Sequence, residues 1–205
     1  MAEDTNIIPM ATPAKIVEQN LPVVALVGRV NVGKSTLFNK ITESKKALVS
    51  DIPGTTRTRN TGVVTWRGKN FLLVDTGGLT FDESVPLEED IIRQTELALA
   101  EADLVVFVTD IQSGILPQER ELAKRLLKKT GGKNGKPVLL VANKADNITF
   151  FPVIHDSEWL RLGFGTPLPV SGANGTNVGD VLDAIYTSLN KLKRRPKQLK
   201  DFQPI

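Results

Sequence analysis

The chain reads as an α/β protein: a mostly parallel six-stranded sheet with one antiparallel edge strand and helices on both faces. Three observations predict this. Short β-branched or apolar runs alternate with helical patterns over most of the 205 residues, the layout of a layered α/β domain. The first clear run, Leu21 to Val27, leads directly into a glycine-bearing loop and then a helical pattern. One adjacent pair of runs is joined by only a few residues around Arg67 and Gly68, too few for a parallel crossover, so that pair must be antiparallel.

In chain order, residues 1–20 combine acids, two prolines and scattered apolar positions, without the basic start and apolar middle of a secretory signal, and read as a flexible leader. Strands are expected at Leu21 to Val27, Thr61 to Trp66, Asn70 to Val74, Leu104 to Thr109, Pro137 to Ala142 and Leu168 to Ser171. Helices are expected at Lys34 to Ile41, Leu87 to Ala100, Gln118 to Lys129 and Val178 to Leu192. The last carries Val178, Val181, Leu182, Ile185, Leu189 and Leu192 on one stripe, which marks a core-facing side. Thr130 to Lys136 is a polar loop. The folded body spans residues 21–192, and residues 193–205 form a basic exit linker.

Apolar residues make up 40% of the chain but fall in short runs, below the about 20 residues that span a bilayer, so no membrane segment is expected. The chain has no cysteine, which excludes disulfides and thiolate metal sites, fits a reducing compartment and makes the cytoplasm the expected location. The net charge of +3 is uneven: Lys191, Lys193, Arg194, Arg195, Lys197 and Lys200 cluster with no acid between them. Setting those six aside leaves 20 basic residues against 23 acidic ones. The basic cluster suits nucleic acid phosphates, and equally a solvated helix end whose cations face the negative end of the helix dipole.

Gly28, Gly33, Lys34 and Ser35 satisfy G-x-x-x-x-G-K-[ST] between a strand and a helix, the context in which the pattern cradles phosphate. With that loop the expected architecture is a P-loop NTPase three-layer fold. Backbone N–H groups from Asn31 to Thr36, Val32 included, and the helix dipole attract the charge, and Lys34 reaches the β and γ phosphates. Ser35 places its hydroxyl on Mg²⁺, and Asp75 in "VDTGG" holds the same ion through water. The N–H of Gly78 faces the γ phosphate. In "NKAD", the Asp146 carboxylate accepts from guanine N1–H and the exocyclic amine, a donor pair that adenine lacks. Asn143 ties this loop to the phosphate loop, and the Lys144 stem covers the base. "VSGANG" adds Ser171, Gly172 and Ala173, the last offering its N–H to guanine O6.

These residues in this order resemble the translation-factor-like branch of P-loop GTPases. Their wording is similar to the first G domain of the Der (EngA) family. "GRVNVGKSTLFNK", "DIPGTTR", "LVDTGGL", "ADLVVFVTDIQSGILPQE", "KPVLLVANKADN" and "LGFGTPLPVSGANGTNVGDVLDAI" carry the likeness over about Leu21 to Leu192. The doubled glycine of "DTGG" separates the chain from Era and TrmE, which usually have D-T-P-G or D-T-A-G. The resemblance implies a GTPase switch acting in large ribosomal subunit assembly, with GTP, GDP, Mg²⁺ and ribosomal RNA as partners. It further implies a second G domain and a KH-like domain if this chain is a fragment. Val30 stands where the family usually has proline, Thr58 where aspartate is common, and Gly172, Ala173 and Asn174 replace the usual S-A-[KE] continuation.

Leu79 occupies the position where Ras-like GTPases place the glutamine that orients water. Another group must then meet the charge developing between the β and γ phosphates. In cation-dependent relatives such as TrmE, an asparagine at the position of Asn31 ligates K⁺. Carried over, this implies K⁺ held by Asn31 with the carbonyls of Ser50 and Ile52, and Thr56 meeting Mg²⁺ and the γ phosphate. Lys34, Thr56, Gly78 and Asn31 are then the catalytic set. The alternative is that Asn31 merely tolerates a tight loop. Two further readings stay open: a nucleotide-gated binding module with negligible hydrolysis alone, and an Era-like or TrmE-like GTPase acting on RNA. Arg57 and Arg59 read as loop arginines in the proposed switch segment, about Ser44 to Asn60, His155 is a loop histidine without a metal-binding partner, and Trp66 and Trp159 pack at element edges.

Overall fold

The computed structural model describes residues 21–43, 60–78, 96, 99–130 and 135–192. The expected leader at 1–20, the basic segment at 193–205, the loop interior at 131–134 and most of the helix expected over Leu87 to Ala100 lie outside them; Glu96 and residues 99–101 are helical.

Six strands form one sheet: β1 (Val23–Val27), β2 (Asn60–Trp66), β3 (Lys69–Asp75), β4 (Leu104–Asp110), β5 (Val138–Asn143) and β6 (Leu168–Pro169). Their order is β2-β3-β1-β4-β5-β6. Every neighbouring pair is parallel except β2 with β3, so the antiparallel strand stands at the edge, as the short join requires. The turn between them is Arg67-Gly68, with φ of 47° and 75°. Two successive left-handed residues are the geometry that continues the right-handed twist of a two-residue hairpin. β6 is shorter than the expected Leu168 to Ser171, because Val170 and Ser171 turn into the next loop.

Strand residues alternate between two cores. On one face Val23, Ala25, Val105, Phe107 and Leu140 pack with Leu122, Ala123 and Leu126 of helix α2 (Pro117–Thr130). On the other, Val24, Leu26, Leu73, Val106 and Val141 pack with Leu37 and Ile41 of α1 (Lys34–Glu43) and with Val181, Leu182 and Ile185 of the C-terminal helix. Helices therefore cover both faces.

The region after β5 is more ordered than its sequence suggests. Ile148–His155 forms a 3₁₀ stretch and Ser157–Leu160 a short helix, α3. Side chains of Asn147 and Asp156 accept from Thr149 N and Glu158 N at 3.1 and 3.3 Å, and cap both starts. His155 thus closes a 3₁₀ helix instead of lying in a loop. Trp159, expected at an element edge, is 2% exposed in the core beneath α2. Trp66 does sit at an edge, where its indole Nε1 donates to Asp183 of α4 (Val178–Lys191) at 2.7 Å.

Because β1 leaves the sheet between β3 and β4, the loops after β1, β3, β4 and β5 gather at one edge, at the point where strand order reverses. The chain comes so close there that a Cβ on Gly28 would lie 2.2 Å from the Val108 carbonyl oxygen of β4. Gly28→Ala is expected to lower the unfolding free energy by about 1–3 kcal/mol in urea titration, the cost of forcing packed backbone apart.

Candidate nucleotide site

The phosphate loop runs from Gly28 to the start of α1 and lines one side of a cleft of about 410 Å³, which Gly77 and Lys144 line from other loops. Asn31 has φ 65° and Gly33 φ 87°, so both take the left-handed conformation that wraps the loop. Gly33 has a second reason to be glycine: a Cβ there would lie 2.4 Å from the Asn143 amide nitrogen. The side chains of Asn31, Ser35 and Thr36 are exposed, whereas Val32 is buried and anchors the loop to the core.

Lys34 folds back under the loop. Its Nζ donates to the carbonyl oxygens of Gly28 at 2.8 Å and Arg29 at 2.9 Å. Burial pushes its pKa down; the Asp75 carboxylate opposes that shift and the Arg29 guanidinium adds to it. The result is a poorly hydrated cation held by weak neutral acceptors, for which phosphate oxygens are stronger partners.

Ser35 Oγ donates to Asp75 Oδ2 at 2.6 Å, and Gly77 N donates to Asp75 Oδ1 at 2.9 Å. Two of the three expected Mg²⁺ residues, Ser35 and Asp75, thus come together at the end of β3, where a 3₁₀ turn, Thr76–Gly78, begins. Thr76 pins this turn by donating to Leu26 O at 2.7 Å. Thr56, Ser50, Ile52 and Leu79 lie outside the described residues, as do Arg57 and Arg59.

Asn143, 2% exposed, joins three loops. Its Nδ2 donates to Val32 O at 2.9 Å and Gly33 O at 3.3 Å, and its Oδ1 accepts from Gly172 N at 3.0 Å. A Cβ on Gly172 would lie 2.9 Å from the backbone of Leu37, so this loop rests directly on α1. The Ser171 hydroxyl donates to Asp146 Oδ1, which orients the carboxylate expected to read the base. Asp146 and Ala173 are exposed, Ser171 buried. Lys144, at φ 64°, spans back to Asp110 Oδ2 at 2.8 Å.

Five residues of this arrangement, Asp110, Gln112, Ser113, Arg29 and Glu119, carry no role in the motifs. Asp110 accepts from Lys144, from Ser113 Oγ at 2.9 Å and from Gln112 N at 2.9 Å. Burial alone would raise its pKa, but these bonds and the Lys144 charge outweigh it and hold the carboxyl below its ordinary range. Gln112 donates to Lys144 O at 2.9 Å and Asp146 Oδ2 at 3.3 Å. Arg29 donates through Nε to Glu119 Oε1 at 2.5 Å. The pointer in the sequence is position: Asp110 ends a strand that begins with an apolar run, Leu104 to Val108, at the level where Asp75 and Asn143 end theirs.

Asn143→Ala leaves the Gly172 N–H and the Val32 carbonyl buried without partners. It is expected to cost about 2–4 kcal/mol in urea unfolding at unchanged m-value.

Residues 23–144 match the family model described as 50S ribosome-binding GTPase. Over 163 residues the chain is 47% identical to GTPase Der of Amoebophilus asiaticus, covering 80% of this chain and 36% of that protein. The chain therefore spans little more than a third of that relative. Among solved structures, a variant of Aquifex aeolicus Era bound to GDP and tetrafluoroaluminate superposes with a TM-score of 0.62 at 28% identity, over 82% of this chain and 56% of that one. Era in complex with MgGDPNP and nucleotides 1506–1542 of 16S ribosomal RNA gives 0.62 at 27% identity, over 83% and 57%. Strand order, phosphate loop and sequence agree: the chain belongs to the 50S ribosome-binding GTPase family and, within it, is similar to GTPase Der.

Proposed function

We propose that this chain is a Mg²⁺-dependent, K⁺-stimulated GTPase switch of the cytoplasm that binds GTP and GDP, hydrolyses GTP to GDP and phosphate, and serves assembly of the large ribosomal subunit. The observation that carries this reading is the meeting of a phosphate loop, a Ser35–Asp75 pair and an Asn–Lys–x–Asp loop at one sheet edge, joined through Asn143. Lys34 exchanges its two carbonyl partners for β and γ phosphate oxygens. Loop N–H groups, Val32 and Thr36 included, surround the phosphates, and the N–H of Gly78 meets the γ phosphate.

Ser35 and Asp75 are hard oxygen donors on neighbouring elements, the donor chemistry Mg²⁺ takes, and Thr56 completes the set in this proposal. The bound ion neutralises charge on the β and γ oxygens. Asn31 bears on K⁺ by position: its exposed side chain belongs to the cleft lining beside Lys34 and Ser35. In this proposal the carbonyls of Ser50 and Ile52 supply its remaining ligands. The left-handed Asn31 backbone equally fits a residue chosen for its turn, so hydrolysis must decide between the two.

Ribosomal partnership is supported by the family match and by the Era neighbour solved with ribosomal RNA. Residues 21–192 are proposed as a G domain, and a second G domain and a KH-like domain would accompany it in a longer protein. Among the described residues no helix is long and apolar enough to cross a membrane. The absence of a glutamine at Leu79 favours one competing reading, a binding module that hydrolyses negligibly alone.

Two measurements test the proposal. Single-turnover GTP hydrolysis with Mg²⁺ is expected to be faster in KCl than in NaCl at matched ionic strength, and Asn31→Ala to abolish the difference. Tight GTP binding without turnover in either salt would establish the binding module instead. Asp146→Asn is expected to exchange preference from guanine to xanthine nucleotides in competition titration; undiminished GTP affinity in that variant would remove Asp146 from the base site.

A further inference from the structure

We infer that Glu119 and Arg29 form a positioning pair for the nucleotide site: Glu119 holds Arg29 and thereby holds the curvature of the phosphate loop. The inference rests on the reading that this loop binds nucleotide, and it adds two residues that contact neither phosphate nor base in that reading.

Glu119 is fully buried in the first turn of α2. Both of its oxygens are used: Oε2 accepts from Leu116 N at 2.9 Å, which caps the helix, and Oε1 accepts from Arg29 Nε at 2.5 Å. A carboxylate without solvent needs a compensating charge, and Arg29 supplies it. Capping alone does not need that charge, since the neutral amide of glutamine caps as well. The ion pair therefore serves something other than the helix start.

Arg29 is itself part of the phosphate loop, between Gly28 and the left-handed Asn31. Its carbonyl is one of the two that hold Lys34 Nζ, and its Nη1 donates to Val30 O at 3.2 Å. A clamp on the guanidinium thus fixes the backbone that carries the Lys34 acceptor. The remaining nitrogen, Nη2, is buried without a hydrogen bond and lies 3.8 Å from Asp110 Oδ2. That oxygen also takes Lys144 at 2.8 Å. Glu119, Arg29, Asp110 and Lys144 form an alternating chain of charges from α2 through the phosphate loop and the end of β4 to the guanine loop. Two loops expected to grip opposite ends of a nucleotide share one carboxylate.

The test is a double-mutant cycle on release of mant-GDP, with Glu119→Gln, Arg29→Met and the two combined, at a temperature where every variant keeps the wild-type far-UV dichroism. Each single change is expected to speed release about tenfold, and the pair to release no faster than the faster single. Independent structural contributions would multiply, so a double variant near the product of the singles overturns the inference. Singles within twofold of wild type also overturn it. If Glu119→Gln does not fold, Arg29→Lys takes its place: it keeps the charge but loses the directed fork. Release more than twofold faster supports the pair, and twofold or less overturns it. Wild type and Lys34→Ala separate this inference from the reading beneath it. Wild-type protein that fails to bind mant-GDP overturns both, whereas binding lost only in Lys34→Ala leaves the nucleotide site standing and lets the cycle decide the pair.

Discussion

The buried side-chain amide of Asn143 is the contact on which the site geometry depends. It donates to two carbonyls of the phosphate loop and accepts from the backbone of the loop after β6, all within 3.3 Å. Only a primary amide serves both ends: aspartate could not donate, and a longer glutamine would not fit where a Cβ on Gly33 already falls 2.4 Å from the amide nitrogen. Backbone groups of loops that face a ligand have no ladder partners of their own, so one satisfied side chain in a dry place orders three chain segments together.

That amide has this reach because of the sheet. A parallel arrangement sends each of β1, β4 and β5 off the same edge, and β3 joins them despite its antiparallel neighbour on the far side. Alternation between two cores leaves no solvated face on the central strands β1 and β4, so the loops at that edge start from rigid anchors. The polar groups closest to the anchors, Asp75, Asp110 and Asn143, are the last residues of their strands. Each is almost fully buried, and each has its oxygens occupied by loop donors.

Much of this is legible in the sequence. Strands appear as apolar runs because both faces are covered, and the antiparallel edge follows from a join too short for anything else. The meeting of the Gly28–Ser35 loop, Asp75 and the Asn143–Asp146 loop at one sheet edge is legible because each follows an apolar run that reads as a strand. What escapes is set by contacts between distant positions. Trp159 reads as an ordinary aromatic after a histidine, and only the fold places it under α2. The 3₁₀ stretch has Pro152 inside it and apolar residues without helical period, so its capped start at Asn147 is the single local signal. Arg29 and Glu119 stand 90 positions apart. Each alone looks like a surface charge, one in a loop and one in a helix of mixed charge. No spacing rule joins them.

Lys34 and Ser35, the first two side chains of α1, both have partners within the chain. The ammonium rests on the carbonyls of Gly28 and Arg29, and the Ser35 hydroxyl rests on Asp75. These internal contacts imitate, weakly, those a nucleotide would make. In the proposed function, phosphate oxygens and a metal ion would take the place of these partners. Affinity at such a loop is a difference between two sets of partners, one supplied by the protein. For a loop held in this way, the residence of a ligand would be set in part by residues that never touch it.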